Sequence, residues 1–348
     1  MKKGFIAMTV LLVIGLILAA CSQPAPEPAP APAPMPEEIT QIRLLGAPVG
    51  SSTFMMRALW ADYLHKKLGM PSGAFPGGER ENLQILNRGD AEESYSSAWA
   101  ASNAYQGLSP FSEPLTNIRF MNHYTTVQLT FAVRADSDLK SIDDIVGKKM
   151  AIGSKGSMAE GWPLFALEEG YGITPKTIED AGGVVSHLSY SEMGTQLSDQ
   201  TVDVITLFTK HDVVASHHKA TEERFGIRLL PLSEEAMDKI LAKYPFVVKG
   251  SMTGGTYKNE PNNVNTIGSA TICLTHRDMP ADLVYKIMDV ILSDEVTAEA
   301  DKRYPIMMMS QKDAWLRGSE SGVPLHPGAL KWYQDNGIAI PSGITAKD

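Results

Sequence analysis

The chain has 348 residues, a formal net charge of −9 and a sequence pI of about 5.4. An acidic balance of that size argues against nucleic acid and against a polybasic membrane contact as partners. Two cysteines and eight histidines, none in HExxH spacing, leave no thiolate cluster and no helical zinc pair.

In chain order, Lys2 and Lys3 precede an uncharged apolar run from Phe5 to Leu18, closed by Ala19 and Ala20. This is the layout of a secretory signal over residues 1–20, and the run is shorter than the ~20 residues that a membrane-spanning helix needs. The tetrad Leu18-Ala19-Ala20-Cys21 resembles the lipobox of bacterial lipoproteins, which implies that Cys21 is acylated and begins the mature chain. The alternative is an ordinary cleaved signal followed by a chance cysteine. Residues 22–38 alternate Pro with Ala and Glu, a composition that forms a semi-rigid polyproline II tether of ~3.1 Å per residue. The expected location is extracytoplasmic, with the body held to a membrane through Cys21. Cys273 then has no intrachain partner and reads as a small buried hydrophobe within "IGSATICLT".

The remaining body is longer than a single core usually holds, so two lobes are expected. "QIRLLGAP" reads as a buried strand, and "GSSTFMMRALWADYLHKKLG" as a helix with Met55, Leu59 and Tyr63 in helical spacing and a stop at Gly69. Ser51, Ser52 and Thr53 stand where hydroxyls cap free amides, and a strand, a Gly-rich turn and a helix start together make an anion site. "GGERENLQILNRGD" repeats the theme, with Glu79 to Asn82 at a helix start. Val127 to Val133 reads as a strand ending at Arg134, with Val133 to Asp138 as a crossing into a second lobe. That lobe opens with "KKMAIG", a Gly/Ser loop from Gly153 to Ser157 and the helix "MAEGWPLFALEEGYG". "VVSHLSY" and "TVDVITLF" add strands; "IRLLPL", "VNTIGSATICLT" and "DMPADLVYKIMDVILS" read as the return. Lobe 1 is therefore expected over 39–133 and 232–348, and lobe 2 over 134–231.

Neither GxGxxG, GxxxxGK[ST] nor GxSxG is present, and no nucleophile, base and orienter assemble from local motifs. Binding without chemistry is the expectation, with no cofactor and no catalytic residue.

The stretches "AVRADSDLKSIDDIVGKKMAIGSKGS", "LAKYPFVVKGSMTGGTY", "RDMPADLVYKIMDVI" and "PLHPGALKWYQDNG" make the body resemble the TAXI family. These are extracytoplasmic solute-binding subunits of tripartite ATP-independent (TRAP) transporters. The resemblance covers most of residues 40–337. It implies an α/β fold of the type II periplasmic-binding-protein class, with two lobes on hinge strands closing on a small anionic solute such as a dicarboxylate, amino acid or keto acid. Delivery to an ion-coupled TRAP permease is implied as well.

Carried over position by position, the family pattern is broken at several places. Gly46 and Gly50 match the first loop, whose aromatic is Phe54. In "FPGGERENL" Gly77, Gly78, Asn82 and Leu83 fit, while Glu79 replaces a small hydroxyl residue. "EESYSSAW" puts Ser97 and Trp99 where Gln and Asp are usual. The second-lobe loop carries Ser157 and Met158, and the segment after Asp203 carries Phe208, Thr209 and Lys210. With Tyr124 these form the expected ligand-contacting set. Trp99 and Met158 make the pocket more apolar, so the expected ligand is an organic anion with an apolar portion. Its carboxylate would meet backbone amides of the Gly/Ser loops and Lys210. Glu79 is read as an exposed loop carboxylate or as the partner of a ligand amine, Trp99 as a core ring or a ligand contact. Arg134 is read as a structural ion-pair partner, and His217-His218 as a solvated helix end. A tethered sensor that reports solute occupancy without transport is the alternative function.

Overall fold

The structure, a computed structural model, describes residues 38–344 except 50, 210, 211, 215–217, 305, 306, 308 and 343. All of these belong to one unit, residues 34–348. The signal, Cys21, nearly all of the tether, and Lys210 lie outside the described residues.

The first half of the chain runs β1 (Ile42–Gly46), α1 (Ser52–Leu68), β2 (Ser72–Pro76), α2 (Glu79–Asn87), β3 (Glu93–Ser97), α3 (Ala98–Gln106) and the long β4 (Ile118–Arg134). Next come β5 (Lys149–Ile152), α4 (Met158–Tyr171), α5 (Pro175–Asp180), β6 (Val184–His187), α6 (Tyr190–Ser198) and β7 (Val204–Thr209). They are followed by α7 (Lys219–Arg224), β8 (Ile227–Leu230), α8 (Glu234–Lys243), β9 (Val247–Met252) and β10 (Val264–His276). The helices α9 (Ala281–Ile291), α10 (Asp294–Arg303) and α11 (Pro327–Asp335) complete the chain.

Ten strands form one curled sheet with the same order twice over: β2-β1-β3-β10-β4 in one half and β6-β5-β7-β4-β8 in the other. In each half the first three strands are parallel and the next joins antiparallel. This doubled order is the two-lobed type II binding-protein fold. Two long strands cross between the lobes. Ile118 to Gln128 of β4 pairs with His276 to Gly268 of β10, whereas Gln128 to Ala132 pairs with β7 and Phe131 to Arg134 with β8. The passage between lobes thus falls inside β4 near Gln128, ahead of the Val133–Asp138 crossing expected from the sequence. "IRLLPL" also differs from its expected role as the return: it forms β8, which fills the sheet position beside β4, and α8 after it packs on α4. The chain comes back within β10, whose Val264 to Ser269 pairs with β9 and whose Thr271 to Leu274 pairs with β3.

Charge as well as apolar packing ties the first lobe together. Arg57 of α1 meets Glu93 of β3 at 2.7 Å with both side chains at most 1% exposed, and its guanidinium lies 4.4 Å from the Tyr124 ring and 4.9 Å from that of Trp60. Burial opposes the charge on Arg57, but Glu93 more than offsets it and the guanidinium stays protonated. Cys273 of β10 is fully buried beside Arg57, and burial raises its thiol well above the ordinary range. Arg134 pairs with Asp136 at 2.9 Å, the structural role expected for it.

Candidate functional site

The site begins where β3 ends. Ser97 caps α3, its hydroxyl accepting from the Ala100 N–H at 3.1 Å. Glu79, the first residue of α2, turns back toward this corner, and its Oε1 accepts the Ser97 N–H and the Ser96 hydroxyl, the latter at 3.2 Å. Only 3% of Glu79 is exposed. Burial pushes its carboxyl up to about 7, against the pull of the Ser97 and Ser96 hydrogen bonds. The reading of Glu79 as an exposed loop carboxylate is therefore corrected: a carboxylate that caps a strand-to-helix corner is drawn inward by its donors.

The opposite wall is built on α4, which contains Pro163. Proline has no N–H for the Ala159 carbonyl one turn back, and the Gly153 amide takes that carbonyl instead at 2.9 Å. The approach requires glycine, because a Cβ on Gly153 would lie 2.2 Å from the Ala159 Cβ. The loop from Gly153 to Ser157 is thus fastened onto the helix that follows. Within it, the Gly156 N–H donates to Glu160 Oε2 at 2.6 Å, His187 Nε2 lies 2.8 Å from Glu160 Oε1, and the Ser157 hydroxyl donates to the Ser154 carbonyl at 2.6 Å.

Trp99 bridges the two lobes. Its ring rests on α4 over Gly161, where a Cβ would stand 2.4 Å from the indole Cη2, and lies 6.1 Å from Trp162 and 5.8 Å from Phe165 between centroids. Phe165 in turn stacks on Trp162 at 5.0 Å and meets the Tyr244 ring edge-on at 4.7 Å. Around this aromatic cluster lies a cavity of about 460 Å³. Lobe 1 contributes Glu79, Trp99, Asn103 and Phe111; from across the cleft come Ser157, Glu160, Gly161, Phe165 and Tyr244. Arg80, Leu108 and Glu168 are exposed at the rim.

The sequence pattern of the NMT1-like family matches residues 48–337. The chain belongs to the NMT1-like family. Among solved structures, this NMT1-like protein is similar to XAC2383 from Xanthomonas citri bound to ATP: 14% identity over 85% of this chain and 95% of that one, with a TM-score of 0.54. The same protein bound to chloride ion gives 13% identity over 85% and 96%, also at a TM-score of 0.54. The periplasmic aliphatic sulphonate binding protein SsuA from Escherichia coli matches at 14% identity over 86% and 84%, with a TM-score of 0.46.

Of the residues expected from the sequence, Glu79, Trp99 and Ser157 come together in the cavity wall of the NMT1-like protein. The other described ones serve its framework. Asn82 donates its Nδ2 to the Gly46 carbonyl at 3.0 Å and fastens α2 to the end of β1. Ser97 is a cap. Tyr124 is buried against Arg57 and Trp60, its hydroxyl 3.3 Å from that of Thr53. Phe54 sits over Gly46 and Gly78 precedes the first turn of α2. Met158 and Phe208 are half-buried against the core, and the Thr209 hydroxyl donates to the Val213 carbonyl. His218, read as solvated, begins α7 as expected of a helix end but is fully buried there. Sequence reasoning missed Glu160, Phe165 and Tyr244. Phe165 follows Gly161 by one turn on the same helical face, a spacing that the sequence does carry; Glu160 is set by its bonds to Gly156 and His187, and Tyr244 lies 75 residues from Glu169, to which its hydroxyl donates.

Among the described residues no helix is long and apolar enough to cross a membrane, and no group of three or more His, Cys, Asp or Glu side chains gathers as a metal site.

Proposed function

We propose that this protein is an extracytoplasmic solute-binding receptor that captures a small organic solute between its lobes and hands it to a TRAP-type ion-coupled permease. The observation that carries the reading is the 460 Å³ cavity with one wall from each lobe, set beside lobes joined through continuous strands. A cavity of that size with ring-lined walls suits a small molecule with an apolar body. A solute that touches both walls favours the closed arrangement in proportion to its differential affinity for it. The TAXI resemblance supports the permease partner, and the expected acylation of Cys21 supports attachment to the membrane where such a permease sits.

The ligand expected from the sequence is an organic anion with an apolar portion. The aromatic wall supports the apolar portion. The carboxylate has less support, since the amides of Ser97, Ala100 and Gly156 already donate to protein oxygens. An anion would depend on Arg80 at the rim and on Lys210, which lies outside the described residues.

Native mass spectrometry of the intact protein as purified tests the receptor reading. A retained small solute is expected, lost in Trp99→Ala, in which the ring leaves both the cavity and the lobe contact. A protein that carries no solute, and whose melting temperature no member of a metabolite panel raises, would overturn it.

A further inference from the structure

We propose that the cavity selects a solute with a positively charged head, an organic amine or guanidine, for which Glu79 is the counter-ion. The proposal rests on the receptor reading and deepens it by naming the ligand class.

Glu79 is the first reason. It lines the cavity, is 97% removed from solvent, and receives both of its described hydrogen bonds on Oε1. Among the described residues no Lys or Arg pairs with it, and its charge is felt by the phenols of Tyr95 in β3 and Tyr190 in α6. A buried carboxyl without a cation is costly when ionised, and a cationic ligand removes that cost as it binds.

The other charges in the wall point the same way. Glu169 is satisfied by Lys243 at 2.8 Å and by the Tyr244 hydroxyl at 2.7 Å. Glu160 is held by the Gly156 amide and His187. In each lobe, then, a protein carboxylate already occupies the backbone amide at a helix start that a ligand carboxylate would need: Glu79 on Ser97 in one, Glu160 on Gly156 in the other. Among the described residues Arg80 is the cation of the wall, and it is exposed at the rim beside a cavity that also presents Glu168. The rings of Trp99, Phe165 and Tyr244 add faces that attract a cation and reject an anion.

The test is competition between two probes of one shape and opposite charge, phenethylammonium and phenylpropionate, titrated calorimetrically into the intact protein in detergent. Phenethylammonium is expected to bind at least 10-fold more tightly, and Glu79→Gln to remove at least 10-fold of that affinity, with Glu79→Asp restoring part of it. Tighter binding of phenylpropionate that still requires Trp99 would overturn the charge assignment and leave the receptor reading standing. Equal affinities, or a Glu79→Gln protein that melts as wild type and binds the amine unchanged, would overturn it too. Absence of binding by both probes, together with absence of any retained solute, would remove the receptor reading and this inference with it.

Discussion

Glu79 makes a quantitative prediction that needs no ligand. Its carboxyl is raised from an ordinary 4.5 to about 7 by burial, so folding takes up a proton across that window. Below about pH 4.5 the acid is protonated in both states; as pH rises toward 7 the unfolded chain loses the proton and the folded one keeps it. Stability from this group therefore falls as pH rises and levels off above about 7, a loss on the order of 3 kcal/mol. Gln at this position resembles the protonated acid and does not titrate. Buried His326, lowered to about 4, and His276, also lowered, act with the opposite sign but equally in both proteins, so they cancel in the difference. Urea unfolding of wild type and Glu79→Gln at a series of pH values is the assay. The stability of the variant relative to wild type is expected to rise by about 3 kcal/mol between pH 4.5 and 7.5, or about 5 °C in Tm for a chain of this size. A difference that stays flat with pH would mean that Glu79 is solvated in the folded protein, and the argument from its burial would fall.

Three further outcomes follow from the packing. Gly161→Val puts a branched side chain where Trp99 lies, with even the first carbon 2.4 Å from the ring, so solute affinity should drop at least 10-fold while circular dichroism is unchanged; unaltered affinity would show that lobe closure does not need that contact. Arg57→Met strands Glu93 in the core and should cost about 3–5 kcal/mol in chemical denaturation, most of it recovered by adding Glu93→Leu. Equal losses in the single and double variants would contradict the pairing. Cys273 should react with a thiol reagent at the rate of unfolding rather than at the rate of a free thiol, because it is fully buried and its thiol is raised; fast labelling of the native protein would refute that burial.

The alternation of strands and helices, the loops that open α1, α2 and α4, and the division into two lobes were legible because each leaves a local mark: periodicity, caps or glycine. β3 left none. All five residues of "ESYSS" are buried, four of them polar, and the strand is held inside by Arg57 and by backbone pairing that only the assembled sheet supplies. The first part of β4 hides in the same way, since Asn122, His123 and Thr125 are buried where an apolar pattern would be sought. In the site, Glu79 and Trp99 drew attention as departures from a family pattern. The burial of Glu79 did not, since it depends on Ser96 and Ser97, 17 and 18 residues further on.

The proline in α4 carries a kinetic consequence. With the Ala159 carbonyl held by Gly153, the loop before the helix is pinned to the helix's first turn, and Pro163, which has no N–H, does not compete for that bond. Movement of α4 therefore carries the Gly156–Ser157 part of the cavity wall with it. In the proposed receptor, opening of that wall is then a movement of the lobe as a whole, on the microsecond-to-millisecond scale of domain motion.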